Sequence, residues 1–141
     1  MPGERGGAVG SVAEPAYAGE TVDTTGFDAQ ITFLSVADLA RSADFYGGVL
    51  GLELTRDQGA CLIYRVAGNG YLGLCDHRAP APGGVIVTLV TDDVDGWAER
   101  LTAAGHEVEG PAGNERFALY HLFVRDPDGH LVEIQRFDEP L

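Results

Sequence analysis

Residues 31–51 read ITFLSVADLARSADFYGGVLG. The run Ile31–Val36 is strand-like, and Asp38 then offers a side-chain oxygen able to cap the first free amides of a helix. Leu39, Ala43, Tyr46 and Leu50 follow at i, i+4, i+7 and i+11, a spacing that places them on one buried helical face. Gly47 and Gly48 weaken the last turn of that helix, and Gly51 suits its C-terminal stop. A strand followed by a capped amphipathic helix is the beginning of a β-α unit.

Outward from this stretch, three short strands are predicted at Glu53–Arg56, Ala60–Val66 and Tyr71–Asp76, with Ala67-Gly68-Asn69-Gly70 as a tight hairpin turn. The order then begins again. Val85–Thr91 is a strand, Asp93 a cap, and Val94, Trp97, Leu101 and Ala104 a second helical stripe ending at Gly105. His106–Glu109 reads as a short strand and Pro111 and Gly113 as loop. Phe117–Arg125 and His130–Arg136 flank the turn Asp126-Pro127-Asp128-Gly129, where proline favours the first turn position. Asp93 follows Asp38 by 55 residues and Gly105 follows Gly51 by 54, so strand, cap, stripe and glycine recur in register as an internal duplication. The expected organisation is one domain: an N-terminal arm at 1–28, a first βαβββ module at 29–79, a linker at 80–84, a second module at 85–137 and a tail at 138–141. The fold class is α+β, two βαβββ modules forming a curved mixed sheet around a cavity.

The chain of 141 residues is long enough to bury a substantial core. Its 22 acidic residues against 9 basic ones give a formal charge of −13. That balance repels phosphate backbones and anionic lipid, which argues against nucleic acid and membrane partners, and it would attract a cationic guest. All nine basic residues are arginine, so mechanisms that need a Schiff-base or P-loop lysine are excluded. Arginine in place of lysine, with abundant Gly and Ala, suggests GC-rich coding and a bacterial source. No apolar run is long enough to span a bilayer and no secretory signal is read, so the expected setting is cytoplasmic. Cys61 and Cys75 lack CxxC spacing, and buried thiols are the expectation for them.

Two motifs carry a family resemblance: Val36-x-Asp38-Leu39-x-x-Ser42-x-x-Phe45-Tyr46 leading to Val49-Leu50-Gly51-Leu52, and Arg125-Asp126-Pro127-Asp128-Gly129-His130 leading to Val132-Glu133-Ile134. Together they resemble the vicinal oxygen chelate superfamily, which includes glyoxalase I, bleomycin-resistance proteins, fosfomycin-resistance enzymes and extradiol dioxygenases. The resemblance spans residues 30–137. It implies that each half curves around a cavity and that metal ligands come from the first and last strands of the halves. Carried over, those positions are Ile31, Gly73, Ile86 and Glu133, of which only Glu133 has a donor atom. A catalytic centre of this type needs three or more protein donors, so no cofactor and no metal are expected. A divalent metal would require a shifted register recruiting Gln30, His121 and Glu133.

With Glu133 placed inward, strand alternation assigns Leu131 and Gln135 to the same face. Pairing across the Asp126–Gly129 turn sets Leu122 opposite Glu133 and brings Tyr120 inward. Pairing across the first hairpin sets Tyr64 opposite Gly73, with Tyr71 and Cys75 alongside, and Phe33 and Ser35 follow from Ile31. The expected lining of a small-molecule pocket is therefore Phe33, Ser35, Tyr64, Tyr71, Gly73, Cys75, Tyr120, Leu122, Glu133 and Gln135. Glu133 is either the candidate general base or an inherited carboxylate held by a tyrosine. Tyr64 and Tyr71 serve either as core or as stacking surfaces for a ligand. His121 is expected on the helix-packed face, and His77, His106 and His130 at solvent. Three functions stay open: a metal-independent binder of a drug or natural product, an enzyme of the superfamily (metal-free through Glu133 with Tyr120 or Tyr64, or metal-dependent with an unusual ligand set), and a structural domain. A small organic ligand and a second copy of the chain, in a homodimer, are the expected partners.

Overall fold

The structure is a computed structural model and describes residues 25–141; the expected N-terminal arm lies almost wholly outside the described residues. Strand β1 (Gln30–Ser35) leads into helix α1 (Leu39–Ala43), which continues as a π-helical segment (Asp44–Val49). Strands β2 (Glu53–Asp57), β3 (Cys61–Ala67) and β4 (Gly70–Cys75) complete the first module. The second repeats the order: β5 (Ile86–Val90), α2 (Val94–Ala103), β6 (Glu109–Asn114), β7 (Leu119–Arg125) and β8 (Leu131–Phe137). Each module is a four-stranded mixed sheet, in the orders β1-β4-β3-β2 and β5-β8-β7-β6. In both, the first strand lies parallel to the last and the remaining pairs are antiparallel.

The sequence devices act as the duplication predicts. Asp38 accepts the amide of Arg41 at 3.1 Å, and Asp93 accepts that of Gly96 at 2.9 Å, so each helix starts on a side-chain cap. Gly51 (φ 74°) and Gly105 (φ 95°) take the left-handed conformation that ends each helix. The first helix departs from the expected α geometry. Beyond Ala43 it widens into π turns, closed by the Leu50 amide on the Phe45 carbonyl at 2.9 Å. Gly47 accommodates this segment, since a Cβ there would stand 3.1 Å from the Tyr64 ring. Strand β6 is also a correction: it runs through Pro111 and Gly113, which were expected in a loop. It lies at the sheet edge and is bulged between Glu109 and Ala112, and an edge strand tolerates a residue without an amide hydrogen.

One core joins the helix-side faces of both sheets, with Leu34, Val36, Tyr46, Leu72 and Leu74 from the first module and Val94, Leu101, Leu122, Val132 and Ile134 from the second. Polar contacts across the modules converge on the β7–β8 turn. Asp126, 4% exposed, accepts the Tyr46 hydroxyl at 2.8 Å together with the amides of Asp128 and His130. Asp128 accepts the Ala37 amide, the Arg41 guanidinium and the Ser42 hydroxyl. Burial, then the charge and hydrogen bond of Asp126, hold the Tyr46 phenol well above the ordinary tyrosine range. His130, expected at solvent, is buried with Nε2 2.9 Å from the Ser35 carbonyl. His106 is half-buried, its ring 5.0 Å from that of Phe45. Helix α2 is ten residues long, and no helix among the described residues is long and apolar enough to cross a membrane.

Candidate functional site

Each sheet has one face on the helices and one open face. Ile31 lies beside Tyr71, Phe33 beside Gly73, and Ser35 beside Cys75. On β3, Cys61, Ile63 and Arg65 are their antiparallel partners, so these residues share the open face of the first sheet. The Phe33 ring lies over Gly73, where a Cβ would sit 2.4 Å from two ring carbons. Phe33 nevertheless remains 51% exposed. Tyr71 is held by Arg65, whose guanidinium donates to the phenol oxygen at 2.8 Å.

Tyr64 is a correction. The expected register is right at the hairpin, where Ala67 pairs with Gly70, but β3 is bulged between Arg65 and Ala67. Beyond the bulge Ile63, not Tyr64, faces Gly73. One extra residue reverses the facing of every side chain after it. Tyr64 is therefore buried against the helical segment, where burial raises its phenol above the ordinary value.

The second sheet corrects two further positions. The β7–β8 turn is closed by Asp126 and His130, whose side chain and backbone bonds leave three residues between them, so Phe123 rather than Leu122 pairs with Glu133. Leu122 belongs to the core. Tyr120 also faces the helix, its hydroxyl donating to Asp95 of α2 at 2.5 Å, a bond that raises the phenol pKa. The same register carries His121 onto the open face, opposite Gln135. Its Nδ1 lies 2.6 Å from Glu133 Oε2, and the Thr88 hydroxyl donates to Glu133 Oε1 at 2.9 Å. Glu133 is thus fixed on both oxygens, by histidine and threonine rather than by a tyrosine. The Phe123 ring packs edge-on against the imidazole at 4.8 Å.

His121 and Thr88 are the residues that reading the sequence missed as site members. Thr88 could have been found, since it stands 55 residues after Phe33 on the duplicated strand. Where Nδ1 donates to the carboxylate, Nε2 of His121 is left as the acceptor of the ring. A cleft of about 410 Å³ lies toward β6, lined by Glu107, Val108, Glu109, Phe123, Val124, Arg125 and Leu131; it shares Phe123 with this group, but His121, Glu133 and Thr88 do not line it. The open faces also carry exposed aliphatic groups, Ile31 at 41%, Ile86 at 50% and Val90 at 37%.

The residues at the family's metal positions do not fit a three-ligand centre. Ile31, Gly73 and Ile86 lack lone pairs in their side chains, and Glu133 stands without them. Gln30 does not substitute, because its amide donates to Thr32 at 2.6 Å on the strand face opposite Ile31. Cys61 and Cys75 were expected as thiols; they are bonded to each other across β3 and β4 as a disulfide.

Comparison with known proteins agrees with this architecture. Residues 29–134 match the family model described as the Glyoxalase/Bleomycin resistance protein/Dioxygenase superfamily. Over 119 residues the chain is 30% identical to a probable lactoylglutathione lyase of Vibrio cholerae, covering 73% of this chain and 86% of that one. Among solved structures it resembles TnmS3, an antibiotic binding protein from Streptomyces sp. CB03234, with 28% identity, a TM-score of 0.70 and coverage of 80% and 98% of the two chains. The lactoylglutathione lyase of Agrobacterium tumefaciens is similar at 27% identity and a TM-score of 0.65, over 77% of this chain and 92% of that one. With the match spanning both modules and the sheet order repeated in each, this chain belongs to the Glyoxalase/Bleomycin resistance protein/Dioxygenase superfamily.

Proposed function

We propose that the chain binds a small organic molecule against its open sheet faces without a catalytic metal, as a sequestering protein comparable to the antibiotic binding protein that it resembles. The carrying observation is the composition of those faces: aliphatic and aromatic groups, Ile31, Phe33 and Ile86, occupy the places where coordination would need donors. Apolar surface with a few placed polar groups is what holds a neutral or cationic guest. A second copy of the chain closes the half-open faces, since exposed aliphatic groups on a sheet are stabilised by being covered. The charge of −13 favours a cationic guest over nucleic acid or anionic membrane, and the setting we propose is the cytoplasm.

The test is a thermal-shift panel of cationic, neutral and anionic natural products on chelator-treated protein. A true guest stabilises the fold progressively, by about 2.7 kcal/mol at a hundredfold excess over Kd. Stabilisation that appears only after a transition metal is restored overturns the metal-free reading, and a panel in which only anions bind overturns the charge argument.

A second reading rests on the 2.6 Å contact between His121 and Glu133. A carboxylate on Nδ1 fixes the tautomer and leaves Nε2 to take a proton, the orientation that general-base histidines use. A guest with an acidic C–H or O–H beside Nε2 would be deprotonated there, with Glu133 stabilising the imidazolium. Turnover that survives the chelator and is lost in His121→Ala supports this reading. Turnover unaffected by that substitution removes it.

A further inference from the structure

Cys61 and Cys75 face each other directly across β3 and β4, their Cα atoms 4.1 Å apart, the close approach of a non-hydrogen-bonded antiparallel pair. His77 lies two residues beyond Cys75, exposed, with Nδ1 3.9 Å from Cys61 Sγ. The two sulfurs and a ring nitrogen of His77 all fall within 4.8 Å of one another. No carboxylate belongs to the group, and the family's metal positions lie elsewhere on the sheets. Two thiolates and an imidazole from three neighbouring positions are the donor set that suits a tetrahedral, thiophilic divalent ion, with solvent as the fourth ligand.

We propose that this corner of the first module is a redox-gated metal site: closed as the Cys61–Cys75 disulfide, and, once reduced, open to a Zn²⁺-class ion held by Cys61, Cys75 and His77. Reduction by a phosphine consumes water, giving the phosphine oxide and two thiols. The metal then displaces both thiol protons, since the thiolate is the ligand. A hydroperoxide reverses the step: it takes two electrons from the two thiolates and two protons from solvent, expelling the ion and leaving the disulfide, one water and one alcohol. The strands supply the rigidity. β3 is paired on both edges and β4 lies between β1 and β3, so the two cysteines are positioned by backbone pairing in either state, while His77 follows just beyond the end of β4. His77 at the surface gives the ion a route in.

The experiment uses the full chain, reduced with a phosphine, desalted without oxygen and titrated with Co²⁺ alone. The expected result is one equivalent bound with the intense visible bands of a tetrahedral site and a thiolate-to-cobalt charge-transfer band, both absent from the oxidised chain. Zn²⁺ should displace the cobalt, and a hydroperoxide should bleach the spectrum as the thiols disappear. His77→Ala should weaken binding by more than the roughly 10- to 100-fold that loss of an outer-shell partner costs. Alkylating the reduced wild type with iodoacetamide should abolish the bands, a control that does not depend on a cysteine variant folding. The proposal is overturned if the reduced chain gives only the pale spectrum of octahedral cobalt, if alkylation leaves the bands intact, or if the His77→Ala protein binds as tightly as the wild type.

Discussion

In the first module the strand pair β3–β4 carries Cys61 opposite Cys75 and Ile63 opposite Gly73. In the second, the matching pair β7–β8 carries His121 opposite Gln135 and Phe123 opposite Glu133. The frame is the same in both, down to the aspartate caps, yet one open face is apolar and stapled by sulfur while the other presents an imidazole and a carboxylate. Duplication supplies two equivalent sheets, and different residues at the same pleat positions then give their open faces different chemical character. The turns differ as well. Ala67-Gly68-Asn69-Gly70 joins the two central strands of its own module, whereas Asp126-Pro127-Asp128-Gly129 reaches back to Tyr46, Ala37, Arg41 and Ser42 of the other.

The largest effect should come from that second turn. Asp126→Ala removes hydrogen bonds to the Tyr46 hydroxyl and to two amides, and should cost about 3 kcal/mol in the denaturant midpoint at an unchanged slope. A loss as small as that of a surface change would mean that the modules are held by apolar packing alone. Next, Gly73→Val forces a side chain into the Phe33 ring and should destabilise by roughly 1–3 kcal/mol. Adding Phe33→Ala should relieve much of that cost, and simple additivity in the double-mutant cycle would deny the contact. Alkaline pH gives a smaller, continuous effect. The folded state keeps the Tyr46 phenol protonated past the point where the unfolded chain ionises, near pH 10, so stability is intact below that pH and lost above it. The slope from this residue should approach about 1.4 kcal/mol per pH unit, and Tyr46→Phe should flatten it, with the remainder belonging to Tyr64 and Tyr120. Asn69→Ala, at the first module's own turn, should stay within about 0.5 kcal/mol.

The caps, the helical stripes and the repeat were legible because they are local: Asp38 and Asp93 announce their helices within four residues. Facing across a hairpin is different. It accumulates over the whole strand pair, and a single bulge between Arg65 and Ala67 carried Tyr64 from the pocket to the core. A turn closed by the Asp126 carboxylate did the same to Tyr120 and Leu122 and brought His121 the other way, onto the open face. Nothing in Arg65-Val66-Ala67 distinguishes a bulged strand from a regular one. The disulfide was hidden by the same gap, since fourteen residues separate its halves and only the exact pairing of β3 with β4 brings them face to face.

Gly73 has a consequence for what this face can be changed into. The backbone there is the bed of a benzene ring, and the volume a larger side chain would need is already taken by Phe33. Placing a carboxylate at this position would require the ring to leave and the acid to arrive together, since either change alone passes through a poorer protein. Access to a carboxylate on this side of the molecule is therefore gated by paired mutations.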